Sequence, residues 1–169
     1  MYKRQSLSLS ERVGGDQMDE AIVSYVRRNH NLHIGEATAE RVKKDAGSAL
    51  VGDDEVTITV RGRDAVRGIP REVSISRSDI AEALGGPVAQ IIDAVRRALE
   101  ETAPEIAADI LDQGIVMTGG GSLLHGIDVM LSRVTGLPVR VAEDPLNCVA
   151  VGAGRALEES YYRGVLHAA

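Results

Sequence analysis

Three consecutive glycines, Gly119, Gly120 and Gly121, stand between a short apolar run and an amphipathic one in the stretch V-M-T-G-G-G-S-L-L-H-G-I-D (116–128). Glycine costs conformational entropy when it is ordered, and is favoured where a backbone turns sharply or a ligand approaches the main chain. Ahead of the glycines, Gly114, Ile115, Val116 and Met117 read as a short buried strand. Behind them Leu123, Ile127, Met130, Leu131 and Val134 recur at helical spacing. Thr135-Gly136 ends that helix, and Pro138, Val139, Arg140 and Val141 resume as a strand. Strand, glycine turn, helix and strand predict a crossover between parallel strands of an α/β fold. In open sheets of that kind ligands sit at the carboxyl ends of the strands, which is where these glycines fall. The motif is not G-x-G-x-x-G, because Leu124 stands three after Gly121, and it lacks the Gly-Lys-Ser/Thr ending of a phosphate loop. By itself it is either a tight strand-to-helix turn or a nucleotide contact.

The rest of the chain must supply a core without Phe or Trp and with four Tyr, so packing falls to Ala, Val, Ile and Leu. At 169 residues one domain or two small ones can form. A net charge of -6 argues against a general nucleic-acid binder, which needs clustered Lys and Arg, and the pairs Arg27-Arg28 and Arg96-Arg97 suit solvated helix faces. The single Cys148 excludes an internal disulfide, and no signal peptide or long apolar run is evident, which fits a cytoplasmic protein. Residues 1–5 lack periodicity, and residues 6–10 alternate like a strand without an evident partner, so the chain is expected to start inside a domain.

Gly14-Gly15-Asp16 precedes a helix with an acidic start (Asp16, Asp19, Glu20) and an apolar face of Met18, Ala21, Ile22, Tyr25 and Val26. A second helix is expected over 36–45, with Glu40, Lys43 and Lys44 at i, i+3 and i+4 as a solvated ion-pair face. Strands over 56–60 and 71–76, joined by a polar loop, read as a hairpin. Ser76 or Ser78 caps a helix over 79–84, which Gly85-Gly86-Pro87 interrupts before the stripe Val88, Ile91, Ile92, Val95 and Leu99. Pro104 opens another helix and Gly114 closes it. Pro145 is expected to start a last helix, 146–157, rich in small residues that suit close approach of a packing neighbour or a ligand. His30 and His33 lack the companions of a metal site, and Cys148 is expected to be buried and inert. Tyr161-Tyr162 reads as an irregular or packed tail.

Gly14-Gly15-Asp16 with Asp19-Glu20-Ala21-Ile22, then I-G-E-A-T-A-E-R (34–41), then G-G-G-S-L-L (119–124), then A-E-D-P-L (142–146) resemble, in order and spacing, the MreB family of bacterial actins, from about residue 13 to 157. The resemblance implies an actin-like ATPase fold (ribonuclease H-like): the second domain, with a small inserted α+β subdomain and the family's first half absent. It divides the chain into 1–33, the first part of subdomain IIA, 34–80, the inserted subdomain IIB, 81–138, the remainder of IIA, and 139–169, returning to subdomain IA. In such proteins the glycine turn lies against the adenosine of ATP and the T-A-E-R helix offers it polar groups. Carried over, the candidate contacts are Gly120, Gly121, Ser122 and Leu123 with Glu40, Arg41, Val42 and Lys43, the Glu40/Lys43 pair serving as ligand contact and ion pair at once. Gly14 to Asp16 would lie near the cleft in a mainly structural role.

No catalytic or metal residue is assigned to this chain. The family's phosphate loops are expected elsewhere, so ATP's Mg²⁺ would be held mainly by the absent half, and this chain alone would hydrolyse ATP poorly or not at all. The resemblance further implies a cytoplasmic, membrane-associated filament protein directing cell shape and wall elongation. Its implied partners are copies of itself, membrane-anchored morphogenesis proteins such as RodZ, the wall-elongation machinery and, through the parent protein, the membrane. Two other readings compete with it: a fragment of an actin-superfamily sugar kinase, and a non-catalytic interaction module.

Overall fold

A computed structural model describes residues 7–52 and 56–158. The residues 1–5 and Tyr161-Tyr162 discussed above lie outside the described residues, as does Ser6, and residues 7–10 form no strand. Helix α1 (Gly15–His30) starts after Gly14, and its inner face buries Met18, Ile22, Tyr25 and Val26. It ends at Asn31, whose left-handed backbone (φ 51°) turns the chain into the two-residue strand β1 (Leu32–His33). Helix α2 (Glu36–Ala46) buries Ala39, Val42 and Ala46 against α1.

Strands β2 (Thr57–Asp64) and β3 (Pro70–Ser76) form the expected antiparallel hairpin, and β1 adds to the outer edge of β2 through Leu32↔Asp64 and His33↔Arg63. The strands run further than expected, to the pair Arg63↔Pro70, leaving only 65–69 as the turn. Asp64 is the reason. Its carboxylate accepts the N–H groups of Arg67 (2.8 Å) and Val66 (2.9 Å) and a guanidinium N–H of Arg71 (3.1 Å), so the turn's donors are satisfied on the spot. The same bonds hold the Asp64 carboxyl below its ordinary range, the Arg67 and Val66 N–H groups first.

Helix α3 (Arg77–Glu100) corrects the sequence expectation of an interruption, because it passes unbroken through Gly85, Gly86 and Pro87. Its inward stripe decides the matter. Ile80, Leu84 and Val88 are buried and Ile91, Ile92 and Val95 pack on the same core, so continuity retains more apolar burial than one missing N–H removes. Its start is a capping box. Ser76 Oγ accepts the Asp79 N–H, and the Asp79 carboxylate accepts the Ser76 N–H (2.9 Å) and hydroxyl (2.7 Å).

Helix α4 (Pro104–Gln113) opens on Pro104, ends at Gly114 and buries none of its residues. Strands β4 (Ile115–Met117) and β5 (Val139–Val141) pair in parallel through Ile115↔Val139, Val116↔Arg140 and Met117↔Val141, with helix α5 (Ile127–Thr135) between them. Helix α6 (Cys148–Glu158) follows. One aliphatic core spans Ile22 and Val26 of α1, Val42 of α2, Val60 and Ile75 of the hairpin, Leu84 of α3, and Ile127 and Leu131 of α5. No described helix is long and apolar enough to cross a membrane.

Candidate functional site

The glycine turn departs from a plain strand-to-helix connection. After β4 the chain reaches Gly119, with φ 80° and ψ 172°, a conformation open almost only to glycine. Its N–H donates to Pro145 O (2.7 Å), tying the turn to the segment beyond β5. Gly120–Leu123 then forms one 3₁₀ turn, and α5 begins only at Ile127, so Leu123 belongs to the turn and not to the helix expected from its spacing. Ser122 is buried and its hydroxyl donates back to Gly119 O (2.7 Å), while Gly120, Gly121 and Leu123 face outward. A Cβ on Gly120 would meet only Leu146 Cδ2, at 3.6 Å, and one on Gly121 would meet nothing within 4 Å. Neither the backbone nor the chain's own packing asks for glycine at these two positions.

On α2 the candidates divide by face. Ala39, Val42 and Ala46 mark the buried stripe, and at about 100° per residue Lys43 stands only about 40° from Ala39 while Glu40 and Lys44 lie about 100–140° round. Val42 is fully buried, so its side chain belongs to the core. Glu40 and Arg41 are exposed. The expected Glu40/Lys43 ion pair is not the one that forms. Glu40 pairs with Lys44 at 2.6 Å, and Lys44 lowers the Glu40 carboxyl below its ordinary value while its own amine is raised by Glu40. Lys43, beside the core stripe, turns instead toward α1. Its Nζ donates to Asp19 Oδ2 (2.9 Å) and to Gly15 O (3.0 Å). Asp19 was legible only as an acidic residue near the start of α1, since no local pattern links positions 24 apart.

The segments that follow the two stretches meet each other. Directly after α2, Ser48 forms a parallel bridge with His125, and the Ala49 N–H donates to His125 O (2.8 Å). A Cβ on Gly47 would stand 2.9 Å from Leu124 Cδ1, and one on Gly126 would stand 2.6 Å from Leu50 Cδ1. Residues 47–50 therefore run tightly against 124–126. That contact joins the segment after α2 to the segment after the 3₁₀ turn, and is made by residues outside the candidate stretches Glu40–Lys43 and Gly120–Leu123.

Other expectations fare differently. Asn147, not Pro145, precedes the last helix, and its side-chain amide donates to the Asp144 carboxylate (2.9 Å). Of the α6 small residues, a Cβ on Gly152 or Gly154 finds nothing within 4 Å among the described residues. Cys148 is half-buried rather than buried, with its thiol against Asp144 O (3.0 Å), because α6 lacks a packed face. Among the described residues no group of three or more His, Cys, Asp and Glu could hold a metal. A groove of about 580 Å³ along α3, lined by Glu11, Gln90, Asp93, Arg96, Arg97 and Glu100, and one of about 540 Å³ around Asp64, contain none of the candidate residues.

The family model described as MreB/Mbl protein matches residues 5–163. The cell shape-determining protein MreB of Escherichia coli (strain K12) is 54% identical over 151 residues, 89% of this chain and 44% of that protein. The cell shape-determining protein Mbl of Bacillus subtilis (strain 168) is 42% identical over 151 residues, covering 89% and 45%. Among solved structures, MreB5 of Spiroplasma citri bound to ADP superposes with a TM-score of 0.85 at 37% identity, over 93% of this chain and 47% of that one. A MamK double helical filament superposes with a TM-score of 0.71 at 26% identity, over 86% and 45%. The chain thus spans less than half the length of the relatives it matches. Matched by the family model along almost its whole length, and sharing the fold of these actin-like structures, the chain belongs to the MreB/Mbl family.

Proposed function

We propose that this chain forms one wall of an adenine-nucleotide site in an actin-like protein that assembles with copies of itself into filaments and acts in cell shape. The observation that carries the nucleotide reading is the pair Gly120 and Gly121, exposed glycines for which the chain itself gives no steric or backbone reason. Glycine there leaves a cradle that a side chain would fill, beside a junction supplied by both halves of the chain. The residues fit a flat, polar ligand. Gly120, Gly121 and Leu123 offer an open apolar surface, Glu40 and Arg41 exposed polar groups, and Lys43 an amine; Ser122 and Val42 hold the two turns from within.

Support from relatives is of the same kind. Solved structures of MreB5 of Spiroplasma citri hold ADP and AMPPNP, and MamK forms a double helical filament. Head-to-tail contacts that do not close generate filaments, which makes a second copy the first partner. By the family resemblance, the Mg²⁺ of ATP would be held mainly by the part of the family's proteins that this chain does not cover. Membrane association, and contacts with membrane-anchored morphogenesis proteins such as RodZ and with the wall-elongation machinery, belong to the same reading through the family. So does the division into IIA (1–33 and 81–138), IIB (34–80) and a return to IA (139–169); the β2–β3 hairpin of 34–80 is separate from the β4–β5 pair, while β1 joins that hairpin from the preceding segment.

The test is a calorimetric titration with Mg-ATP of the chain and of Gly121→Val. The expected result is saturable binding that weakens about ten- to hundred-fold in the variant, the range set by about 1–3 kcal/mol of steric conflict, with the melting temperature unchanged. Equal affinity in both proteins, or no binding by a folded chain, overturns the reading.

A further inference from the structure

Lys43 is a candidate contact whose side chain is held from another helix, α1. A lysine amine carries three protons. Two of them are committed to acceptors on α1, Asp19 Oδ2 at 2.9 Å and Gly15 O at 3.0 Å, and the side chains are largely removed from solvent, 16% exposed for Lys43 and 12% for Asp19. Asp19 Oδ1 is buried and has no hydrogen-bond partner among the described residues.

We infer that Asp19 is a positioning residue for the nucleotide site: it fixes the rotation of the Lys43 amine so that one proton remains, in a defined direction, for an acceptor atom of the nucleoside. The inference rests on the nucleotide reading above. Stability does not account for the arrangement. A buried ion pair recovers little more than its desolvation cost, and a carboxylate with one oxygen unsatisfied recovers less. What the pair does secure is orientation. Without the charge of the Asp19 carboxylate the charge-assisted bond is lost, and a four-carbon side chain with three rotatable donors samples several directions. Because Asp19 sits on α1 and Lys43 on α2, the same bond holds the two helices in the register that aims the amine.

The experiment is a cycle of Asp19→Asn, Lys43→Met and the double variant, titrated with Mg-ATP, with each ligand-free melting temperature recorded. Asn keeps the size and one acceptor oxygen while removing the charge. The expected outcome is that Asp19→Asn weakens Mg-ATP about tenfold or more when Lys43 is present, has no effect on affinity in the Lys43→Met background, and lowers the ligand-free melting temperature only when Lys43 is present, because it leaves that part-buried amine without its carboxylate. A drop in melting temperature with unchanged affinity would make Asp19 a helix clamp only and overturn the inference. Equal losses in both backgrounds would overturn it too, since Asp19 would then act independently of Lys43. If Lys43→Met binds as tightly as the parent, the inference falls while the nucleotide reading, tested by Gly121→Val, still stands; absence of binding by the folded parent removes both. Should Asp19→Asn not fold, Asp19→Glu takes its place in the cycle. It keeps the charge but displaces the carboxylate by one methylene, and the same outcomes decide.

Discussion

Alanine placed in turn at Gly119, Gly121 and Gly126 separates the glycines that the backbone requires from the one that it does not. Gly119 has φ 80° and ψ 172°, and a Cβ there meets nothing within 4 Å, so backbone strain is the only unfavourable term, about 1–3 kcal/mol. Gly126 has φ 72° and ψ 6°, and its Cβ would stand 2.6 Å from Leu50 Cδ1 and 2.7 Å from Cγ. It carries a left-handed penalty of about 1–2 kcal/mol plus an overpacking term of about 1–3 kcal/mol, which Leu50, half-buried at the junction, relieves in part by shifting. Gly121 has neither problem. Each alanine also narrows the unfolded ensemble, which favours the folded state by about 0.4–1 kcal/mol.

The net expectation is a loss of about 1–2 kcal/mol for Gly119→Ala, about 2–4 kcal/mol for Gly126→Ala, and no loss or a small gain for Gly121→Ala. Urea unfolding followed by circular dichroism measures all three, with the denaturant slope unchanged if only the folded state is affected. Gly121→Ala destabilising as much as Gly119→Ala would refute the assignment of the strain to position 119. A neutral Gly126→Ala would refute the tight seating of 124–126 on 47–50.

Gly85 and Gly86 lie inside α3 with open space around them, so Gly85→Ala and Gly86→Ala should each stabilise the chain by about 0.5–1 kcal/mol in the same urea assay; destabilisation would mean that the helix is not continuous there. The Asp79 carboxyl is held below its ordinary value, chiefly by the Ser76 hydroxyl and against the opposing effect of burial. A carboxyl lowered in the folded state contributes stability that is complete above the unfolded value, about pH 4, and is lost as the pH falls through the lower folded value. Asp79→Asn should therefore cost about 1 kcal/mol at pH 7 and flatten the loss of stability below about pH 4, read from urea midpoints at a series of pH values; an unchanged acid limb would count against the capping-box account.

Much of the fold could be read because its signals are local. Gly14 before α1, Pro104 and Gly114 around α4, and Thr135-Gly136 after α5 sit within a turn of the boundaries they set, and the parallel β4–β5 pair follows from the strand, helix and strand pattern. The misreadings arise where a distant contact outweighs a local preference. Gly85, Gly86 and Pro87 are strong local breakers, but the apolar stripe on either side of them has a core to pack on, and burial over several turns wins. Leu123 keeps helical spacing with Ile127, yet it lies in a 3₁₀ turn because the Ser122 hydroxyl closes on Gly119 O and the left-handed Gly126 resets the chain before α5. Glu40 and Lys44 pair at i, i+4 as their spacing allows, but Lys43, three residues from Glu40, finds its partner Asp19 on another helix.

The same division explains how far the candidate site was legible. A run of glycines announces that something is unusual but not which glycine serves which need. Here the needs are distinct: Gly119 satisfies the backbone, Gly126 satisfies both the backbone and a packed leucine, and Gly120 and Gly121 satisfy nothing within the described chain. An exposed, ordered glycine with no internal reason costs stability relative to alanine. A requirement from outside the chain offsets that cost where a ligand surface presses against the main chain; Gly85 and Gly86 of α3 are just as open, so what singles out Gly120 and Gly121 is their place after β4, at the carboxyl end of a parallel strand. By this reasoning the nucleotide reading rests less on the three glycines as a motif than on the two among them that the fold leaves unused.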